Sequence, residues 1–150
     1  MGYVDIHAII GSWPESRDFH GEPFLPDLAS SCKIEAFATV DAGTERATSI
    51  GPRAWLMKHS HVGHDAIVWD DCELSPGAVV CGFAVLERGV RVGVNASILP
   101  YRRVGAGARI GAGAVVTKDV PPGEVWAGNP ARNLHPPAAD LAREYYEEHA

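Results

Sequence analysis

Long apolar runs and a surplus of basic residues are both missing from this 150-residue sequence. No apolar run approaches the ~20 residues that a membrane-spanning helix needs, so we expect no membrane span. The net charge is −6, from 13 basic and 19 acidic residues, whereas proteins that bind nucleic acid usually carry a basic surface. The N-terminal sequence also lacks the basic start and long apolar core of a secretory signal. We therefore expect a cytoplasmic protein that binds no nucleic acid.

Cysteine is scarce, and its spacing matches no metal site. The three cysteines, Cys32, Cys72 and Cys81, form an odd number and lie far apart. Such usage is typical of a reducing compartment, with cysteine as a small core residue rather than a cross-link. The sequence therefore predicts neither a disulfide framework nor a cysteine-based metal centre.

Glycine and proline are abundant, at 16 and 11 residues, and they favour turns over long helices. An aliphatic residue recurs at every sixth position from Ile50 to Val116 without a break, and the residue four positions later is small or slender except at Arg102. The residue three positions after the aliphatic residue is often Gly, Asn or Asp, which tolerate a left-handed backbone. Each hexad therefore predicts a short strand with one inward aliphatic side chain, followed by a tight turn.

Such short strands bury their apolar residues only by stacking in parallel. Three hexads per turn give a triangular coil, and successive coils stack at the strand spacing of ~4.8 Å. The same frame recurs upstream at Leu28, offset from Ile50 by four extra residues that we interpret as a loop over 46–49.

We predict an all-β protein, a parallel β-helix of about five coils over residues 28–121. Residues 1–27 are expected to form an irregular N-terminal segment. Residues 122–150 are expected to form a C-terminal extension with a short α-helix, because Leu141 and Tyr145 are spaced as on one helix face.

Two segments resemble the hexapeptide-repeat acyltransferases, whose fold is a left-handed β-helix. Residues 110–132, IGAGAVVTKDVPPGEVWAGNPAR, are similar to the C-terminal signature of coenzyme A-dependent members. Residues 61–82, HVGHDAIVWDDCELSPGAVVCG, are similar to the UDP-N-acetylglucosamine acyltransferases of lipid A synthesis and to the sialic acid/bacillosamine-type sugar acetyltransferases. The resemblance implies a left-handed coil and a homotrimer with active sites in clefts between neighbouring subunits.

One column of the predicted coil carries groups suited to acyl transfer, which needs a base and donors for an oxyanion. Steps of three hexads from His64 reach Gly82, Pro100 and Lys118 on the same corner. Because Gly82 has no side chain, space opens beside the imidazole. The resemblance implies that His64 is the general base and that the Gly82 N–H is the oxyanion donor. Asp65 occupies a turn position where Asp is favoured in any case, and it is also a candidate for orienting His64.

The resemblance also implies a binding site for the acyl donor acetyl-CoA. Backbone groups at two positions are expected to line the pantetheine channel, and three side chains are expected near the nucleotide end: Val94 and Ala112, then Thr117, Lys118 and Arg132. The region around the last three carries a local excess of basic residues, which suits a small anionic ligand. His61 is a candidate contact for the acceptor. Each of these charged or polar residues could equally be an ordinary surface residue.

We therefore predict an acetyl-CoA-dependent enzyme that acetylates nitrogen or oxygen on a sugar or nucleotide sugar and requires no metal. One alternative is an acyl carrier protein-dependent O-acyltransferase that acts on a UDP-N-acetylglucosamine-like substrate. A zinc hydration enzyme resembling the γ-carbonic anhydrases is another, suggested by the spacing of His59 and His64, although residues 28–50 hold no matching histidine. A non-catalytic trimeric scaffold is the last.

Overall fold

The chain winds into a parallel β-solenoid of about six turns, and the computed structural model describes residues 1–135. Nearly all strands are two residues long, as the hexad pattern predicts. In chain order they are β1 (Tyr3–Val4), β2 (Ile9–Ser12), β3 (Asp27–Leu28), β4 (Lys33–Ile34), β5 (Thr39–Asp41), β6 (Ser49–Ile50), β7 (Trp55–Leu56), β8 (His61–Val62), β9 (Ile67–Val68), β10 (Glu73–Leu74), β11 (Val79–Val80), β12 (Val85–Leu86), β13 (Arg91–Val92), β14 (Ser97–Ile98), β15 (Arg103–Val104), β16 (Arg109–Ile110), β17 (Val115–Val116), β18 (Val125–Gly128) and β19 (Ala131–Asn133).

Three sheets form the faces of the solenoid. Face I has the order β1-β4-β7-β10-β13-β16-β18-β19, face II the order β2-β5-β8-β11-β14-β17, and face III the order β3-β6-β9-β12-β15. The named strands pair in parallel except in the terminal β18–β19 hairpin, and outside them an isolated antiparallel bridge joins Phe24 to Gly43. Within residues 1–135 there is no helix, and hence none long and apolar enough to cross a membrane. The expected C-terminal helix lies outside the described residues.

The inward aliphatic position of each hexad builds the core. On face I, for example, Leu56, Leu74 and Val92 stack in register and are at most 1% exposed. The expected turn position takes positive φ, as at Asp65 (61°) and Asn95 (55°). Cys32 and Cys72 are buried free thiols beside this core. Both halves of the hexad interpretation are therefore confirmed.

The solenoid starts one coil earlier than the sequence predicts. β1 pairs with β4 and β2 with β5, so that Ile10 lies beneath Val40. The sequence gives about five coils instead of about six because a long loop, residues 13–26, separates β2 from β3 and interrupts the spacing. A second loop, residues 42–48, separates β5 from β6. It ends before the expected segment 46–49 does, since Ser49 already belongs to β6.

Both loops leave the solenoid at the same corner, where the chain passes from face II to face III. The segment that follows β8 and contains His64 lies at this corner as well. We call it the His64 corner. The corner between faces I and II, which contains Val94, is called the Val94 corner. The fold thus gathers two irregular loops around one part of an otherwise regular surface.

Candidate active site

A cavity of about 370 Å³ opens at the His64 corner. Strand ends and turns of successive coils form most of its lining, and the loop 13–26 contributes Glu15. The lining includes Glu15, Asp41, His61, His64, Gly82 and Tyr101. The two histidines singled out by the sequence therefore share one cavity with Gly82.

The His64 imidazole packs directly against Gly82. A Cβ atom added to Gly82 would lie 2.9 Å from both Nε2 and Cε1 of the ring, so only glycine leaves room for the ring at this position. Within residues 1–135 the Gly82 N–H donates to no backbone carbonyl, as expected at this turn position. The side chain of His64 is only 16% exposed. The structure therefore brings an imidazole and an unpaired backbone donor together, as the column of hexads predicts.

The partner of this imidazole is the fully buried carboxylate of Asp65. Its Oδ2 lies 2.8 Å from His64 Nδ1. Burial raises the pKa of Asp65, but N–H groups of Thr44 and Glu45 and the His64 hydrogen bond outweigh it and hold the pKa well below its usual range. Because an ionised carboxylate only accepts hydrogen bonds, Nδ1 carries a proton, and in the neutral imidazole Nε2 therefore presents its lone pair.

The loop 42–48 holds Asp65 in place. Thr44 donates to its Oδ2 from the backbone (2.9 Å) and the hydroxyl (2.8 Å), while the backbone N–H groups of Glu45 and Arg46 donate to its Oδ1 at 2.7 and 2.8 Å. Gly43 permits this tight turn, because a Cβ there would meet the Arg46 carbonyl oxygen. The sequence indicated an insertion here through the four extra residues, but not that its amides bind Asp65.

Two aromatic rings form a wall beside the imidazole. Phe83 meets His64 edge-on, with ring centroids 5.4 Å apart, and Tyr101 stacks on Phe83 at 4.7 Å. Both adopt positive φ, near 61° and 62°, at the turn position of their hexads. Sequence reasoning missed these residues because the pattern at this position favours Gly, Asn or Asp.

The second histidine, His61, has a different environment. Its Nδ1 lies 2.7 Å from the Thr39 hydroxyl, and its Nε2 lies 3.8 Å from Oδ2 of Asp41. Asp41 is 3% exposed, and burial raises its pKa. Its Oδ1 accepts a hydrogen bond from the Ser12 hydroxyl at 2.5 Å, whereas Oδ2 has no hydrogen-bond partner within the described residues. No sequence signal pointed to Asp41.

The residues expected to bind acetyl-CoA lie in three places. Lys118 is exposed on the His64 corner, two coils beyond Gly82, next to the half-buried Thr117. Val94, which is 45% exposed, and Ala112 lie on the Val94 corner, across face II from the cavity. Arg132 is exposed on the terminal hairpin and donates to its neighbour's carbonyl oxygen. A single chain therefore does not bring these residues together with His64.

Comparison with known proteins finds relatives that are acyltransferases, although no protein-family profile matches the sequence. The chain is 34% identical over 133 residues to the acyl-[acyl-carrier-protein]–UDP-N-acetylglucosamine O-acyltransferase of Nautilia profundicola, covering 87% of this chain and 51% of that protein. The chain thus spans about half the length of the curated relatives it matches.

Solved structures agree with this fold. The UDP-N-acetylglucosamine O-acyltransferase of Moraxella catarrhalis matches with a TM-score of 0.86 at 25% identity, over 95% of this chain and 57% of that one. A mutant perosamine N-acetyltransferase of Caulobacter crescentus, in complex with CoA and GDP-perosamine, matches with a TM-score of 0.74 at 21% identity, over 90% and 57%. The latter likeness concerns the fold alone. By sequence and by its left-handed β-helix, the chain is a homologue of the hexapeptide-repeat acyltransferases.

Proposed function

We propose that the chain catalyses transfer of an acyl group from a thioester to a hydroxyl or amine of a nucleotide sugar. The observation that carries this proposal is the His64–Asp65 pair, packed against Gly82 in an open cavity. A histidine with a fixed tautomer supplies a base near neutral pH, and a backbone N–H supplies an oxyanion donor. The relatives, all acyltransferases in name, support the same reaction class.

The mechanism follows from these positions. Asp65 keeps the proton on Nδ1 of His64, so Nε2 accepts the proton of the acceptor hydroxyl or amine as that atom attacks the thioester carbonyl. The negative charge that develops on the carbonyl oxygen is stabilised by the Gly82 N–H. When the tetrahedral intermediate collapses, the carbon–sulfur bond breaks, and the imidazolium returns its proton to the leaving thiolate. Asp65 stabilises the transient imidazolium and stays ionised throughout.

For the acyl donor, acyl carrier protein is favoured over acetyl-CoA. The curated relatives carry acyl carrier protein and UDP-N-acetylglucosamine in their names, which favours the alternative from the sequence analysis over its main interpretation. Acetyl-CoA stays a second candidate, because Lys118 and Arg132 offer exposed positive charge that suits an anionic nucleotide.

A homotrimer is part of the proposal. The first residue of each face II strand points outward, and none of these six residues is Lys, Arg, Asp or Glu: Ile9, Thr39, His61, Val79, Ser97 and Val115. Face I, by contrast, presents several charged side chains. Packing face II against a neighbouring copy would bring that copy's Val94 corner towards the His64 cavity and so assemble the donor site that one chain lacks. A cytoplasmic location also belongs to the proposal.

The test supplies the purified chain with acyl carrier protein thioesters or acetyl-CoA and a panel of UDP-, GDP- and dTDP-sugars. Thiol release and the mass of the product are measured. We expect turnover with a carrier-protein donor, and a loss of 10²–10⁴-fold in His64→Ala. His7→Ala is the matched control, since His7 pairs with Asp5 in the first coil, outside the cavity. Turnover with acetyl-CoA alone would reverse the donor preference. Wild-type turnover in His64→Ala would refute the mechanism.

A further inference from the structure

A second set of chemical groups in the cavity is not used by the proposed reaction. One donor atom from each of Glu15, Asp41 and His61 lies within 4.8 Å of the other two. They come from three parts of the chain: Glu15 from the loop 13–26, Asp41 from the end of β5, and His61 from the next coil of face II. The fold, and not local sequence, brings these groups together.

Asp41 is the anchor of this set. Its side chain is 4% exposed, and the Ser12 hydroxyl fixes one carboxylate oxygen. The other oxygen, Oδ2, is buried and has no hydrogen-bond partner within the described residues. A buried acceptor without a partner is rare because it loses its hydrogen bond to water without replacement. This oxygen therefore calls for a ligand that donates to it or coordinates it.

His61 is oriented for coordination. If Nδ1–H donates to the Thr39 hydroxyl at 2.7 Å, Nε2 keeps its lone pair, the arrangement that orients metal-binding histidines. Nε2 lies 3.8 Å from the unpartnered Oδ2 of Asp41, too far for a hydrogen bond. Two ligands that share one tetrahedral ion at ~2.1 Å lie ~3.4 Å apart, which is close to this separation.

We propose that Glu15, Asp41 and His61 bind one divalent transition-metal cation. One imidazole and two carboxylates form a mixed nitrogen and oxygen donor set. Such a set suits Zn²⁺ or Mn²⁺ better than it suits Ca²⁺, which prefers oxygen ligands alone. The cation neutralises two carboxylates that line the cavity. This site departs from the expectation of a metal-free protein, and it differs from the zinc alternative, since His59 stacks on Phe37 outside the cavity.

The role of the cation rests on the proposed function. A nucleotide sugar brings a negatively charged diphosphate into the cavity. Without a cation, the two carboxylates of the cavity would repel it. A cation held by three protein ligands keeps coordination positions for a phosphate or hydroxyl oxygen of the acceptor. The site would then orient the acceptor towards His64 without taking part in the proton transfer.

The test measures metal binding alone, without acyl donor or acceptor. Metal-stripped protein is titrated with Zn²⁺ and Mn²⁺ by calorimetry, and with Co²⁺ as a visible-absorption probe. We expect one ion per chain, and at least a tenfold weaker affinity in Asp41→Asn and His61→Ala. Thr39→Val, which removes only the orienting hydroxyl, weakens binding by ~10–100-fold. Glu15 lies on an exposed loop. The variant Glu15→Gln therefore tests the site even if a substitution at Asp41 impairs folding.

The matched control is Asp5→Asn, which removes a carboxylate beside a histidine outside the cavity, 3.1 Å from His7. The metal affinity of the Asp5→Asn variant should equal that of the wild type. Absence of stoichiometric binding to the wild type, or equal affinity across the Glu15, Asp41 and His61 variants, overturns the proposal. Since no substrate is present, that result leaves acyl transfer standing, and a failure of acyl transfer leaves the metal site standing.

Discussion

Replacing Asp65 by asparagine removes the acceptor on which the His64 corner is built. In the native protein Oδ1 accepts from the backbone of Glu45 and Arg46, while Oδ2 accepts from Thr44 twice and from His64. An asparagine side chain has one oxygen and one NH₂ group. In one amide orientation the NH₂ group faces the backbone N–H groups of Glu45 and Arg46, and in the other it faces that of Thr44, so one or two N–H groups lose their acceptor.

The magnitude follows from those unpaired donors. Each buried N–H left without an acceptor costs ~1–3 kcal/mol, so one or two of them give about 1–6 kcal/mol. For a chain of this size, 1 kcal/mol lowers Tm by ~2–4 °C, so we expect a decrease of roughly 2–24 °C. Thermal unfolding followed by circular dichroism at neutral pH measures this difference.

Asp71→Asn provides the matched control. Asp71 occupies the same hexad position as Asp65, with a φ of 59° against 61°, and asparagine tolerates this backbone equally well. Its carboxylate is partly exposed and pairs with Arg53 and Arg88, contacts that contribute little on a surface. We expect Asp71→Asn to melt close to the wild type. Equal melting temperatures for the two variants would refute the reasoning.

The effect of Asp65→Asn also depends on pH. The folded-state pKa of Asp65 lies below its ordinary value of 3.8. The carboxylate therefore contributes stability that is fully present above pH ~4 and is lost as the pH falls through the folded-state pKa. The part of the gap between wild type and variant that comes from the carboxylate should shrink in acid below pH ~4, as melts at pH 5 and at lower pH would show.

Three further substitutions test the site and the core. Gly82→Ala places a Cβ 2.9 Å from His64 Nε2, so acyl transfer should fall by ~10²-fold as the ring is displaced; unchanged turnover would contradict the packing argument. Gly89→Ala, on the corner between faces III and I, adds a Cβ into open space at a φ of 71° and should reduce stability in urea without changing turnover. Leu74→Ala, fully buried at mid-solenoid, should cost ~3–5 kcal/mol by urea denaturation; a loss below 1 kcal/mol would mean that the stacked core does not carry the fold.

Only part of the candidate site could be predicted from the sequence. Steps of three hexads link His64 to Gly82 because the chain is uninterrupted between them. A step of three hexads back from His61 does not reach its partner in the previous coil. That partner is Thr39, because the loop 42–48 lies between the two strands. Asp41 of the metal-site candidate lies before that loop, and the donors to Asp65 lie within it, so the spacing does not predict their positions.

By itself, the sequence determined the repeating strand and turn, the buried aliphatic ladder, and the alignment of His64 with Gly82. These features follow from local backbone preference and from the burial of one side chain per hexad, so a periodic pattern specifies them. Only the tertiary structure decided the extra coil, the convergence of two loops on one corner, and the partners of Asp65 and Asp41. Hydrogen bonds between segments distant in the chain fix those features, and such bonds leave no period in the sequence.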